Sequence, residues 1–148
     1  MKFKIFISLT LTLTLFNDMA IAGSFTDNGN GTVSDSNTGL IWQKEDDNTT
    51  RTWESAITYC EGLSLGTYSD WRLPNIKELR SIVDTTTYIP AINSTYFPNT
   101  NSSDYWPSTT NARYSTNVWV VHFVGGGVGD TTTSKSNNYY VRCVRGGQ

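Results

Sequence analysis

The chain has 148 residues, with 11 basic and 13 acidic side chains, a formal net charge of −2 and two cysteines. Such a length sets one domain as the default. The near-balanced charge excludes a general attraction to nucleic acid or to an anionic membrane surface.

The first residues read as an export signal. Met1-Lys2-Phe3-Lys4 is a basic start, Ile5 to Phe16 is an apolar run broken only by Ser and Thr, and Ala20-Ile21-Ala22 places small residues at the −3 and −1 positions of a cleavage site. The run falls short of the ~20 residues that a spanning helix needs. An uncleaved anchor is the alternative. Cleavage after Ala22 makes residues 1–22 the signal peptide and residues 23–148 the mature domain, secreted or periplasmic and one unit more negative. No membrane span is expected after cleavage. In an oxidising compartment Cys60 and Cys143 read as one disulfide, with two free thiols or a metal pair as the alternative.

Phe25 to Gln43 reads as a β-hairpin. Turn residues Asp27-Asn28-Gly29-Asn30-Gly31 precede a strand at Thr32 to Asp35, and Ser36-Asn37-Thr38-Gly39 turns into the returning strand Leu40-Ile41-Trp42. A calcium loop at Asp27 to Gly31 is disfavoured, because Gly29 stands where a ligand is needed. Glu45 to Arg51 is expected to be an exposed acidic loop rather than a pair of catalytic carboxylates. Thr52 is a helix cap, and Trp53, Ala56, Ile57 and Cys60 follow helical spacing, with Gly62 and Gly66 marking the end. A second helix is expected from Pro74, at the first helical position, to about Val83. Just before it, Asp70-Trp71-Arg72 reads as a structural clasp in which Arg72 holds carboxylates or loop carbonyls.

Residues 84–117 are rich in Thr, Asn, Ser and Tyr. The stretch is too long for an ordinary connection, and its aromatics argue against disorder. Tyr105-Trp106 opens a strand within it. Val118 to Val124 is the strongest strand and should be central, since it is apolar on both faces apart from His122. Gly125 to Asp130 breaks it. A polar stretch to Asn138 leads to a closing strand, Tyr139 to Arg145, expected to pair with the central one. Alternation puts Val141 and Cys143 on one face and Tyr140, Arg142 and Val144 on the other. Trp42, Trp53, Trp71 and Trp119 are assigned to the core; Trp106 stays open between core and surface.

The order of parts is an N-terminal hairpin, two helices, a long irregular loop and closing strands stapled to the first helix. It resembles the C-type-lectin-like α+β fold, with two helices packed on small antiparallel sheets. The segments Phe25 to Val33, Thr38-Gly39-Leu40-Ile41-Trp42, Asp70-Trp71-Arg72-Leu73-Pro74, Tyr105-Trp106-Pro107-Ser108-Thr109-Thr110 and Tyr140 to Gly146 narrow it further. Together they resemble the C-terminal domain family of the Legionella collagen-like (Lcl) adhesins. The resemblance implies export and binding of sulfated polysaccharides or host surfaces. Two features depart from it. No collagen-like Gly-X-Y segment is present, so a free-standing domain is expected. A negative chain also suits a polyanion only if Arg113, Lys135, Arg142 and Arg145 cluster. Only Phe97-Pro98-Asn99 approaches the calcium–sugar motif of true C-type lectins, so that mechanism is not transferred.

Enzyme chemistry finds little support. Formylglycine-generating enzymes, of related fold, need reactive cysteines, and the disulfide claims both of these. A Ser-His-Asp triad would have to use His122, which reads as a core or interface histidine with one hydrogen bond. No cofactor and no metal site is expected. The reading is therefore non-enzymatic recognition of a glycan or surface protein. An assembly module of a cell-envelope complex is the alternative. Sugars need aromatic faces beside amides and charges. The long loop supplies Tyr105, Asn111, Arg113 and Tyr114, and the final hairpin supplies Asp130, Lys135, Asn138 and Tyr139.

Overall fold

A computed structural model describes residues 25–124 and 131–147. The stretch expected to be an export signal and the glycine-rich stretch 125–130, Asp130 included, lie outside the described residues. The chain is α+β. A meander of β1 (Phe25–Asp27), β2 (Thr32–Asp35) and β3 (Leu40–Gln43) precedes α1 (Trp53–Glu61) and α2 (Ile76–Ser81). Then come β4 (Asp104–Tyr105), β5 (Asn117–His122), β6 (Thr131–Ser134) and β7 (Val144–Arg145). Two antiparallel sheets result, ordered β1-β2-β3-β7 and β4-β5-β6.

Local chemistry explains where the elements begin and end. The β1–β2 turn bends at Gly29 and Gly31, with φ of +72° and +82°. The Asp27 carboxylate accepts the Gly29 N–H (3.0 Å), as a turn residue does, and pairs with Lys44 (2.7 Å). Thr52 caps α1 by accepting the Ser55 N–H. At its far end the Gly62 N–H returns to the Thr58 carbonyl (3.0 Å). The second helix starts later than Pro74 and stops before Val83. Asn75 is its cap, accepting the Glu78 N–H (2.9 Å) while Glu78 accepts the Asn75 N–H (2.8 Å). That reciprocal capping box satisfies two amides that lack an intrahelical partner, so Pro74 is left just outside the helix.

Two buried clusters form the core. One joins the meander to α2 and the long loop through Val33, Trp42, Leu79, Phe97, Tyr105 and Val144. The other lies beneath α1 and includes Ala56, Trp71, Trp106, Val118, Val141 and Cys143. Residues 139–147 run between them. Val141 and Cys143 face the second cluster, while Tyr140 and Val144 face the first, as the alternation expects. Trp53 and Trp119 are only half-buried, a correction to their assignment to the core.

The pairing of the closing segment also differs from expectation. It does not lie beside β5. Ile41 pairs with Arg145 and Trp42 with Val144, so the chain returns to the N-terminal meander. β5 is central as expected, but its partners are β4 and β6. The threonines of β6 form an edge strand because β-branched side chains suit a pleated, half-exposed surface.

Cys60 and Cys143 form the disulfide, with Cα atoms 5.5 Å apart and a sequence separation of 83. The Asp70-Trp71-Arg72 clasp grips the same segment. Arg72 exchanges backbone hydrogen bonds with Val144 (2.9 Å each) and donates to Glu78 (2.7 and 2.8 Å) and to the Gly146 carbonyl (2.9 Å). Asp70 takes two bonds from Arg145 (2.7 and 2.9 Å).

Two outcomes follow. Reduction, or Cys60→Ser with Cys143→Ser, should lower stability by about 4–5 kcal/mol in urea titration, the chain-entropy value for so long a loop. Burial raises the Glu78 carboxyl pKa, but Arg72 and the Asn75 N–H outweigh it and hold it below the usual value. With the folded value depressed, its stabilisation is present above the ordinary carboxylate pKa of about 4.3 and is lost as pH falls below it. The stability gap between the native chain and Glu78→Gln should therefore shrink on acidification, measured by urea midpoints.

Candidate functional site

The start of α1, the entry to β5 and the exit of β6 are laced together by backbone. The Trp53 N–H donates to the Lys135 carbonyl and the Lys135 N–H to the Thr116 carbonyl, both at 3.1 Å. Between them lies a cleft of about 410 Å³ lined by Thr52, Glu54, Thr116, Ser134, Lys135 and Ser136. Its walls carry hydroxyls and one charge of each sign. Ser134 and Ser136 share a hydroxyl contact at 2.8 Å. The Lys135 ammonium sits 4.5 Å from the centre of the Trp53 ring. That ring is fixed in turn by its N–H, donated to the Pro107 carbonyl (2.9 Å).

The long loop and the final hairpin do meet. The Trp106 N–H donates to the Tyr140 carbonyl (3.0 Å), and Trp106 packs edge-on against Tyr139 with ring centres 4.7 Å apart. Trp106 is buried, its indole N–H on the Arg51 carbonyl (2.7 Å). The expected site residues then divide. Lys135 lines the cleft. Arg113 and Tyr114 are exposed on the turn entering β5, with the guanidinium 5.4 Å from the ring centre. Tyr114 shows 52% of its surface. Asn111 organises that turn, its side-chain Oδ1 accepting the Arg113 and Tyr114 N–H groups (2.8 and 3.2 Å). Asn138 is exposed and Tyr139 half-buried. Asp130 lies outside the described residues.

Tyr105 is a correction. It is 0% exposed, and its hydroxyl donates to Asp46 (2.6 Å) while accepting the Asn101 N–H (2.9 Å). Burial pushes its phenol pKa well up. Asp46 is a second correction: in the loop expected to be exposed, this carboxylate is buried. Nor do the four arginines and lysines cluster. Arg142 is fully buried on the Gln43 carbonyl (2.8 Å), the Thr100 hydroxyl (2.8 Å) and Asp46 (3.3 Å), and Arg145 is held by Asp70.

His122 has two partners where one was expected. Its Nδ1 meets Asp104 and its Nε2 meets the Thr131 hydroxyl (3.2 Å), which ties β4, β5 and β6 together. The cleft hydroxyls escaped the sequence reading except for Thr52, named only as a cap. Ser and Thr at strand and helix ends are too common to signal a site.

A family model of the Lcl C-terminal domain matches residues 31–145. No curated protein matches the chain.

The place of Tyr105 generates a test. A folded pKa above the ordinary value of about 10 stabilises the fold below that pH and weakens it as pH rises beyond. Tyr105→Phe should cost about 1–3 kcal/mol at neutral pH, because Asp46 loses a donor, and should flatten the alkaline decline measured by thermal melts.

Proposed function

Since the chain belongs to the Lcl C-terminal domain family, we propose that it is an exported, adhesin-like recognition domain of C-type-lectin-like architecture that binds a glycan and catalyses nothing. The observation that carries this reading is the cleft walled by the hydroxyl-bearing and charged residues Thr52, Glu54, Thr116, Ser134, Lys135 and Ser136. Its volume of about 410 Å³ falls in the range of ligand pockets, about 300–1,000 Å³. Its hydroxyls, ammonium and carboxylate are the donors and acceptors that sugar hydroxyls need. The exposed Arg113–Tyr114 turn, two residues before Thr116 in the chain, offers an aromatic face and a cation to a bound sugar.

Cleavage after Ala22 and release to the periplasm or exterior accord with the disulfide. With both cysteines in that bond, no thiolate is available for formylglycine-type chemistry.

One observation favours a second reading, a contact with a surface protein or with an envelope assembly. Tyr88 and Ile89 are 64% and 78% exposed, and Val124 is 47% exposed. The Ala91 N–H donates to the Phe123 carbonyl (3.0 Å), which brings these stretches side by side; exposed apolar side chains of this kind suit a protein contact.

A glycan array probed with the native chain, with Lys135→Ala and with Arg113→Ala/Tyr114→Ala separates the two readings. Glycan recognition predicts specific signals that each variant weakens by about tenfold or more. An array without signal, together with a defined oligomer dissolved by Ile89→Asp, would favour the assembly contact.

A further inference from the structure

Five cations among the described residues are closed by carboxylates. Lys44 pairs with Asp27, Arg51 with Asp47, Arg72 with Glu78, Arg142 with Asp46 and Arg145 with Asp70. Lys135 and Glu54 line one cleft, carry opposite charges and form no ion pair among the described residues. The ammonium rests on the Trp53 ring instead. A cation–π contact at a solvent-accessible site is weak, and the ammonium can leave it for an anion.

The helix start itself offers an anion little. The Trp53 N–H is spent on the Lys135 carbonyl and the Ser55 N–H on the Thr52 hydroxyl. An anionic group in the cleft therefore selects Lys135. The Glu54 carboxylate, which also lines the cleft, selects hydrogen-bond donors and repels a second negative charge. The Ser134 and Ser136 hydroxyls share a hydrogen bond (2.8 Å), and the Thr116 hydroxyl donates to the Asn117 side-chain oxygen (3.2 Å). A net charge of −2 adds a general penalty against dense polyanions.

We propose that the cleft takes a monoanionic, carboxylated sugar residue of the hexuronate type. Its carboxylate sits on the Lys135 Nζ, and its ring hydroxyls donate to Glu54 and exchange hydrogen bonds with the serine and threonine hydroxyls. This rests on the glycan reading above. Lys135 is then the specificity-determining residue. Trp53 is a positioning residue, which stores the ammonium beside the cleft until a carboxylate arrives.

The test uses two probes that differ only in the carboxylate, methyl glucuronide and methyl glucoside, titrated against the whole mature domain by NMR. A charge-assisted hydrogen bond predicts that the glucuronide binds about tenfold tighter or more. Lys135→Ala should erase that preference and Lys135→Arg should keep it, with unchanged melting temperatures showing that both fold. Glu54→Gln should weaken both sugars and raise the response to a sulfated oligosaccharide. Equal affinity for the two probes, or a preference that survives Lys135→Ala, would overturn the carboxylate assignment. In that case array signals from other sugars would leave the glycan reading intact. An array silent for every sugar would remove both.

Discussion

A buried guanidinium sets the terms for this fold. Arg142 lies at 0% exposure, where no solvent can hydrate it, so the protein must supply its acceptors. For the two terminal nitrogens it does so from four groups: the Gln43 carbonyl at the end of β3, the Lys44 carbonyl just after it, the Asp46 carboxylate in the following loop and the Thr100 hydroxyl in the long loop, while Nε has no partner among the described residues. Burial draws the guanidinium pKa below its usual value, against the opposing pull of the Asp46 carboxylate and the Tyr105 hydroxyl. Tyr105 donates to the same carboxylate, so the long loop is tied to this centre twice. An ion pair of this kind adds little net stability over an apolar replacement, but losing one partner strands the other. Its consequence is positional: the β3 exit, the acidic loop and the long loop can be arranged in one way only.

The neighbours of Arg142 extend that constraint outward. Cys143 carries the covalent link to α1, and Val144 carries the backbone exchange with Arg72. Arg145 and Gly146 complete the clasp with Asp70 and Arg72. Tyr139 and Arg51 exchange backbone hydrogen bonds just before α1. A short segment of little regular structure thus holds both sheets and both helices. The start of α1 is held against the β5–β6 hairpin, and the cleft opens between them. Its hydroxyls and charges need not contribute to the core, which is why a polar surface can be kept there.

Periodicity and capping made α1 legible from the sequence, because both signals are local: Thr52 at the start, an apolar stripe through Cys60, Gly62 at the end. The alternation in residues 140–144 was legible for the same reason. The partner of that segment was not, since a period of two tells which face a side chain takes but not which strand lies alongside. The burial of Asp46 depends on Arg142, 96 residues away, so no local pattern reveals it. Tyr105 looks the same in sequence whether its hydroxyl meets a sugar or a carboxylate. In the site, Lys135, Arg113 and Tyr114 could be found from residue type. The cleft walls could not, because they are assembled from three separate segments.

Residues 139–146 act as the piece through which all other elements are joined. Native-state hydrogen exchange reads this on the amides of Gln43, Arg72, Trp106, Cys143 and Val144, each bonded to or within this segment. The five should exchange together, with the slowest rates in the molecule, and only through global unfolding. Separate, faster exchange of Cys143 and Val144, with Leu79 and Val121 still protected, would show the segment opening while the rest stands, and would contradict it.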